Sequence, residues 1–203
     1  ARDIYQGRLY NIIAQRDRLI AERDDVMLRF SDSLAQAAET DVRAMNAISS
    51  ERALYLARAD DREGEETVLV SQRKGVEAVL ESKGMVAESL RQETHDMQDL
   101  LEEGYGEKPR LRGLERSRSQ VLGDVADLEV SIEEIDLRIT QLAVRFKTQV
   151  VDELAKTTEA LYDTEQRHAA SEDSVQRGTI RAPVSGTVLN LVPNTIGAVI
   201  QPG

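Results

Sequence analysis

Cysteine and tryptophan are missing from this 203-residue chain, and phenylalanine occurs only as Phe30 and Phe146. Without cysteine there is no thiolate nucleophile, no cysteine-based zinc site and no disulfide. Aromatic residues make up only 3% of the chain, so a large globular core is not expected. No apolar run reaches the roughly 18 residues that a membrane-crossing helix needs. Basic patches are also lacking: arginine and lysine are interleaved with acids, and the formal net charge is −11. That balance argues against a nucleic-acid partner, whose phosphates would be repelled. No signal peptide is seen, and the chain opens in mid-pattern with "ARDIYQGRLYNIIAQRDRLI", so it reads as a piece of something longer.

What is present is charge and aliphatic spacing. Charged residues are 31% of the chain, the make-up of long helices and coiled coils. From Leu69 a three-four spacing selects Leu69, Gln72, Val76, Val79, Lys83, Val86, Leu90, Glu93, Met97 and Leu100. A second seam selects Leu111, Leu114, Arg118, Val121, Val125, Leu128, Ile132, Ile135, Ile139, Leu142 and Phe146. Folding the chain back between Tyr105 and Gly106 places Leu100 on Leu111, Leu90 on Val121 and Leu69 on Leu142. It also sets Glu93 opposite Arg118, a polar layer that would penalise slipped pairing.

The spacing therefore predicts a mainly α fold, a long antiparallel coiled-coil hairpin. Its first helix covers residues 41–103, its tip loop 104–109 and its second helix 110–177. Gly104 suits a left-handed helix end and Pro109 the first position of the next helix. After Phe146 the spacing becomes Val150, Leu154, Thr157 and Leu161, a stutter that locally relaxes a left-handed supercoil. Residues 1–40 form an N-terminal helical segment. Leu9, Ile13, Ile20, Met27, Phe30 and Leu34 keep a helical period there, which predicts a helix over about 3–30 and a break between 31 and 45. "SDS" at Ser31–Ser33 and "AETD" at Ala38–Asp41 are the candidate caps.

Catalytic constellations do not appear. His95 and His168 fall on opposite helices, far apart, and each reads as a solvent-facing residue. Glu102, Glu103 and Glu107 share the tip with Lys108, Arg110 and Arg112, which favours a mixed solvated surface over a cation site. No serine has a nearby base and no glycine-rich phosphate loop precedes a helix. The reading is of a non-enzyme with no cofactor and no metal.

The last stretch, residues 178–203, changes character. Thr179–Ala182 and Thr187–Leu191 read as strands around a "PVSG" turn, with a further turn at Asn194–Gly197 and a third strand at Ala198–Gln201. Strands so few and short need a partner segment. "IRAPVSGTVLNLVPNTIGAVIQPG" resembles the second half of the split lipoyl motif of HlyD-type membrane fusion proteins, the periplasmic adaptors of bacterial export systems. Ala182, Pro183, Gly186, Val188, Gly197 and Gly203 carry the match, with Ile180, Arg181 and Val199. "LLEEGYGEKPRLRGLERSRSQVLGDVADLEVSIEEI" looks like the hairpin bend of the type I secretion adaptors in that family, and "SSERALYLAR" resembles the stretch before their long inward helix.

The resemblance implies an adaptor that bridges an inner-membrane ABC transporter and a TolC-like outer-membrane channel and passes a secreted protein. It further implies self-assembly into a ring, a hexamer, and a periplasmic location with an inner-membrane anchor outside this sequence. Leu100, Leu101, Gly104, Tyr105, Gly106, Glu107 and Lys108 are the expected channel contacts, with Tyr105 as the aromatic anchor. Drug-efflux relatives carry an Arg, Leu and Ser set at the tip. Aligned on Leu100, this chain has Asp96 and Glu107 at the other two places, which weighs toward secretion. A biotinyl or lipoyl carrier needs a lysine in the β segment, and none follows Lys156.

Overall fold

The computed structural model describes residues 2–177. Within them the order is α1 (Arg2–Asp24), α2 (Asp32–Ala38), α3 (Val42–Glu102) and α4 (Lys108–Arg177). The tail, with the motif residues Ala182, Pro183, Gly186, Val188, Gly197 and Gly203, lies outside the described residues.

Helices α3 and α4 are the two legs of the hairpin. At 1.5 Å per residue, their 61 and 70 residues give rods of roughly 90 and 105 Å. Along α4 the inward residues are those the spacing selects, half-buried or buried from Leu111 through Ile135 to Phe146. Leu69, Val76, Leu90 and Met97 turn inward from α3 to meet them.

The other half of the α3 seam is corrected by one residue. Arg73, Leu80, Ala87, Thr94 and Leu101 point in, while Gln72, Val79, Val86, Glu93 and Leu100 are exposed. The cause lies in the sequence. Val79–Leu80, Val86–Ala87 and Leu100–Leu101 are neighbouring apolar pairs, and a period of seven does not say which member faces the partner. Glu93 and Arg118 consequently form no ion pair. Glu93 accepts from the Ser89 hydroxyl at 3.5 Å, and buried Thr94 takes the inward place, its hydroxyl donating to Leu90 O at 2.6 Å. Cross-helix ion pairs form elsewhere, Arg73 with Asp136 at 2.9 Å and Lys83 with Asp124 at 2.7 Å.

At the end opposite the tip the hairpin becomes a three-helix bundle, because α1 lies along both legs. The predicted helix over 3–30 stops earlier, at Asp24. Asp25 adopts φ 51° and Val26 N–H donates to Ala21 O at 3.0 Å, a left-handed termination made by an aspartate. No glycine marks that stop, so the sequence pattern runs through it. Met27 is then 81% exposed instead of lying on a helix face. Asp17 anchors the returning strand of chain, accepting from Ser31 N–H at 2.8 Å. Short α2 closes a small core in which Leu34 packs with Ala14, Ala44 and Ala47, flanked by Tyr10, Phe30 and Ile48. Asp41 caps α3, its carboxylate accepting from Arg43 N–H at 2.9 Å.

A buried charge network joins the three helices. The Arg18 guanidinium, 2% exposed, donates to both oxygens of Glu22 at 2.9 Å and to Glu51 at 2.6 Å. Arg58 lies 3.4 Å from Glu22 and 3.0 Å from Glu153. The Arg58 and Arg62 guanidiniums also stand over the Phe146 ring, at 5.4 and 5.0 Å from its centre. The stutter of α4 begins at this residue. Val150, Thr157 and Leu161 are buried where α1 joins α4.

Two measurements check this base. Arg18→Ala leaves buried Glu22 with Arg58 alone and takes the guanidinium from half-buried Glu51, and chemical unfolding followed by circular dichroism should show a loss of about 3 kcal/mol. The Arg43 hydrogen bonds, side chain then backbone, hold the Asp41 carboxyl below the usual aspartate range. Its folded value lies under its unfolded one, so its contribution is full at neutral pH and lost as pH falls through the folded value. Asp41→Asn keeps a cap but loses the ion pair. Its melting temperature should fall below wild type at pH 7, and the gap should close in strong acid.

Candidate interaction site at the hairpin tip

The loop between the legs is built by backbone bonds that leave its top free. Beyond Glu102, Tyr105 N–H donates to Leu100 O at 2.8 Å and Gly104 N–H to Leu101 O at 3.2 Å, a Schellman closure with Gly104 at φ 87°. Gly106 N–H also reaches Leu100 O, at 2.9 Å. A Cβ on Gly106 would lie 2.7 Å from Leu101 N and 2.9 Å from its Cα, so only glycine fits this close approach. Glu107 O then accepts from Arg110 and Leu111 N–H at 3.1 and 3.2 Å, starting α4. Lys108 is its first residue and Pro109 its second, one place later than the sequence suggests. Proline is tolerated there because that N–H has no intrahelical partner.

This geometry divides the seven expected tip residues. Gly104, Gly106 and half-buried Leu101 shape the loop. Leu100, Tyr105, Glu107 and Lys108 face outward, with Tyr105 82% exposed and Leu100 42%. The tyrosine ring projects from the end of the rod and does not cover its seam.

Charge of both signs meets at the tip, and apart from Glu107 and Glu115 it is sorted by leg. Asp96, Asp99, Glu102 and Glu103 crowd the end of α3, whose last turn holds no base. Lys108, Arg110, Arg112 and Arg116 open α4, whose first turn holds no acid. Both runs oppose the helix dipole, which favours cations at a C-terminus and anions at an N-terminus. No ion pair joins the two runs. A local signal was available: an acidic helix end followed directly by a basic helix start. Of the two histidines, His95 is exposed as expected. His168 is not, its side chain 15% exposed with Nε2 enclosed and unpartnered. Among the described residues no helix is long and apolar enough to cross a membrane.

Known proteins share this architecture. The family model described as AprE, long alpha-helical hairpin, matches residues 1–174. The type I secretion system membrane fusion protein PrsE of Rhizobium meliloti is 26% identical over 215 residues, covering 98% of this chain and 49% of that protein. The alkaline protease secretion protein AprE of Pseudomonas aeruginosa is 31% identical over 121 residues, 56% of this chain and 28% of its own length. This chain thus spans about half the length of PrsE. Among solved structures, the soluble domain of LipC, a membrane fusion protein of a type I secretion system, superposes with a TM-score of 0.66. At 22% identity it covers 91% of this chain and 93% of its own, a likeness of fold.

The loop geometry predicts an order of damage. Gly104→Ala forces a side chain into a left-handed residue with open space around it, at about 1 kcal/mol. Gly106→Ala must push the end of α3 aside. Hydrogen exchange of the amides from 100 to 106 should therefore accelerate far more in Gly106→Ala than in Gly104→Ala, with exchange at the base unchanged in both.

Proposed function

The chain belongs to the AprE family of long alpha-helical hairpins, and from that premise we propose that it is the periplasmic arm of a type I secretion adaptor. The arm reaches from the inner membrane, where the adaptor is anchored beside an ABC transporter, to a TolC-like channel of the outer membrane. The conduit so completed carries a secreted protein out in one step. Copies stand in a ring, a hexamer, closed at the base through the lipoyl segment that includes Ala182, Pro183, Gly186, Val188, Gly197 and Gly203. The role is mechanical, and the side chains supply docking surfaces in place of chemistry.

One observation carries this reading: a rigid rod of some 90 Å or more whose free end presents an exposed tyrosine between an acidic and a basic helix end. A tip built for its own stability would place those charges the other way round. Sorted as they are, they suit a partner carrying both signs. Leu100 and Tyr105 are the apolar anchors of that contact, Glu107 and Lys108 its charged rim. Leu101, Gly104 and Gly106 hold them in place. AprE, named for secretion of an alkaline protease, and PrsE, named for a type I secretion system, support an exported protein over a small drug as cargo.

Tyr105→Asp places a charge where the anchor stands and touches nothing inside the hairpin. Cells in which it is the only adaptor should lose export of the cognate protein into the medium, while the circular dichroism and melting of the purified chain stay at wild-type values. Normal export by this variant would overturn the tip assignment.

A further inference from the structure

The two legs are least well joined where α1 ends. Between Leu56 and Val68, helix α3 reads "ARADDREGEET", eleven residues with no apolar side chain larger than alanine. Five of them are acids. Asp60 with Glu63, Glu63 with Glu66 and Asp61 with Glu65 set like charges three or four residues apart, which weakens a helix. Gly64 stands among them, with nothing within 4 Å of a Cβ placed on it. Packing does not require glycine there, so its effect is to lower the local helix population about two- to fivefold relative to alanine.

The other leg is irregular at the same height. The ion pairs Arg58–Glu153 and Arg73–Asp136 show that residues of the two legs stand level when their numbers total about 210. Gly64 is then level with Phe146, where the stutter of α4 begins. Helix α1 stops beside them, Asp25 lying 3.3 Å from Arg62. Space around this level is one-sided. Toward α1, Ala21, Tyr55, Ala59 and Arg62 close on Phe146 and leave a void of about 20 Å³. On the other side a cleft of about 480 Å³ opens between the legs, with Leu54, Leu142 and Phe146 as its apolar lining. Asp61 and Glu65 of α3 and Arg145 of α4 also line it. Among the described residues none of these three has an ion-pair partner, and the Arg145 guanidinium donates only to Gln141 O, at 3.4 Å.

We propose that the hairpin has a hinge at the level of Gly64 and Phe146 and bends there toward the face away from α1, closing the cleft and pairing Arg145 with Asp61. Hinges are a few residues that absorb a change of backbone angle, often small ones. Bending toward α1 is blocked, because that side is already filled. Asp61 lies below the pivot, whereas Arg145 is level with Glu65 just above it, so bending toward the cleft brings the two together and straightening parts them. Closure also takes surface of Leu54, Leu142 and Phe146 out of water. An exposed ion pair is weak, so this one biases the two forms without locking either. The hinge is a property of the chain and stands whether or not the tip meets a channel.

The chain has no cysteine, so pairs of spin labels can be placed on the full chain and their separation read by pulsed dipolar resonance. Exposed Lys156 and Asp127 lie eleven and eighteen residues from Arg145, on its face of α4 and on either side of the hinge. Labels at Lys156→Cys and Asp127→Cys, about 44 Å apart along the helix, should show two populations. For a bend of about 20° the second is shorter by about 4 Å. Gln141→Cys with Arg112→Cys, the same spacing wholly above the hinge, should show one. Gly64→Ala and Arg145→Glu should each reduce the short population about two- to fivefold. Adding Asp61→Arg to Arg145→Glu should restore it. A single distance in both label pairs, equal broadening in both, or a short population unmoved by either substitution would overturn the hinge. No recovery in the double variant would overturn the pairing with Asp61.

Discussion

The structure hangs on one buried guanidinium. Two helices alone form a thin seam, in which most side chains keep contact with water, and the inward residues of the upper legs are mostly half-buried. Among the described residues, fully enclosed side chains occur only where α1 joins, and Arg18 is among the largest of them. Its bonds to Glu22 and Glu51, continued through Arg58 to Glu153, tie α1, α3 and α4 at one level. A buried pair need not add much stability relative to apolar packing. It does make any slipped arrangement expensive, because a shift by one turn would leave a charge enclosed and unpaired.

That constraint explains the change of pattern along α4. Above Phe146 the helix has one partner and keeps a heptad spacing. Below it there are two partners, and successive spacings of four turn Val150 and Leu154 toward the wider interface. Phe146, under the guanidiniums of Arg58 and Arg62, marks the boundary. The rod therefore has a thick base and a slender arm, and the sequence period changes where one gives way to the other.

Much of this was legible in the residues. The hairpin, its bend, the α4 seam and the left-handed Gly104 follow from periodicity and turn chemistry. Other features did not. The inward half of α3 was ambiguous wherever two apolar residues adjoin, because position on a helix is then settled by the partner and by neither residue's preference. The end of α1 was hidden because Asp25, not glycine, adopts the left-handed conformation. The Arg18 network left no trace at all, since its charges look solvated until α1 is known to lie along both legs. At the tip, the outward residues could be named from sequence, but the separation of Leu101 and Gly106 as scaffold from Leu100 and Tyr105 as surface required the backbone bonds. Val79 and Val86, which the spacing places in the α3 seam, face outward in the structure.

A thick base and a slender arm also make a lever. From Phe146 to the tip the hairpin runs about 57 Å with no third helix bracing it. A tilt of about 5° where α1 ends carries Tyr105 sideways by about 5 Å, the width of a side chain. Small adjustments among Glu22, Arg58 and Glu153 are thereby magnified at the far end. Conversely, a load applied to the tip is delivered to the base, where Asp17, Arg18 and Glu22 are buried.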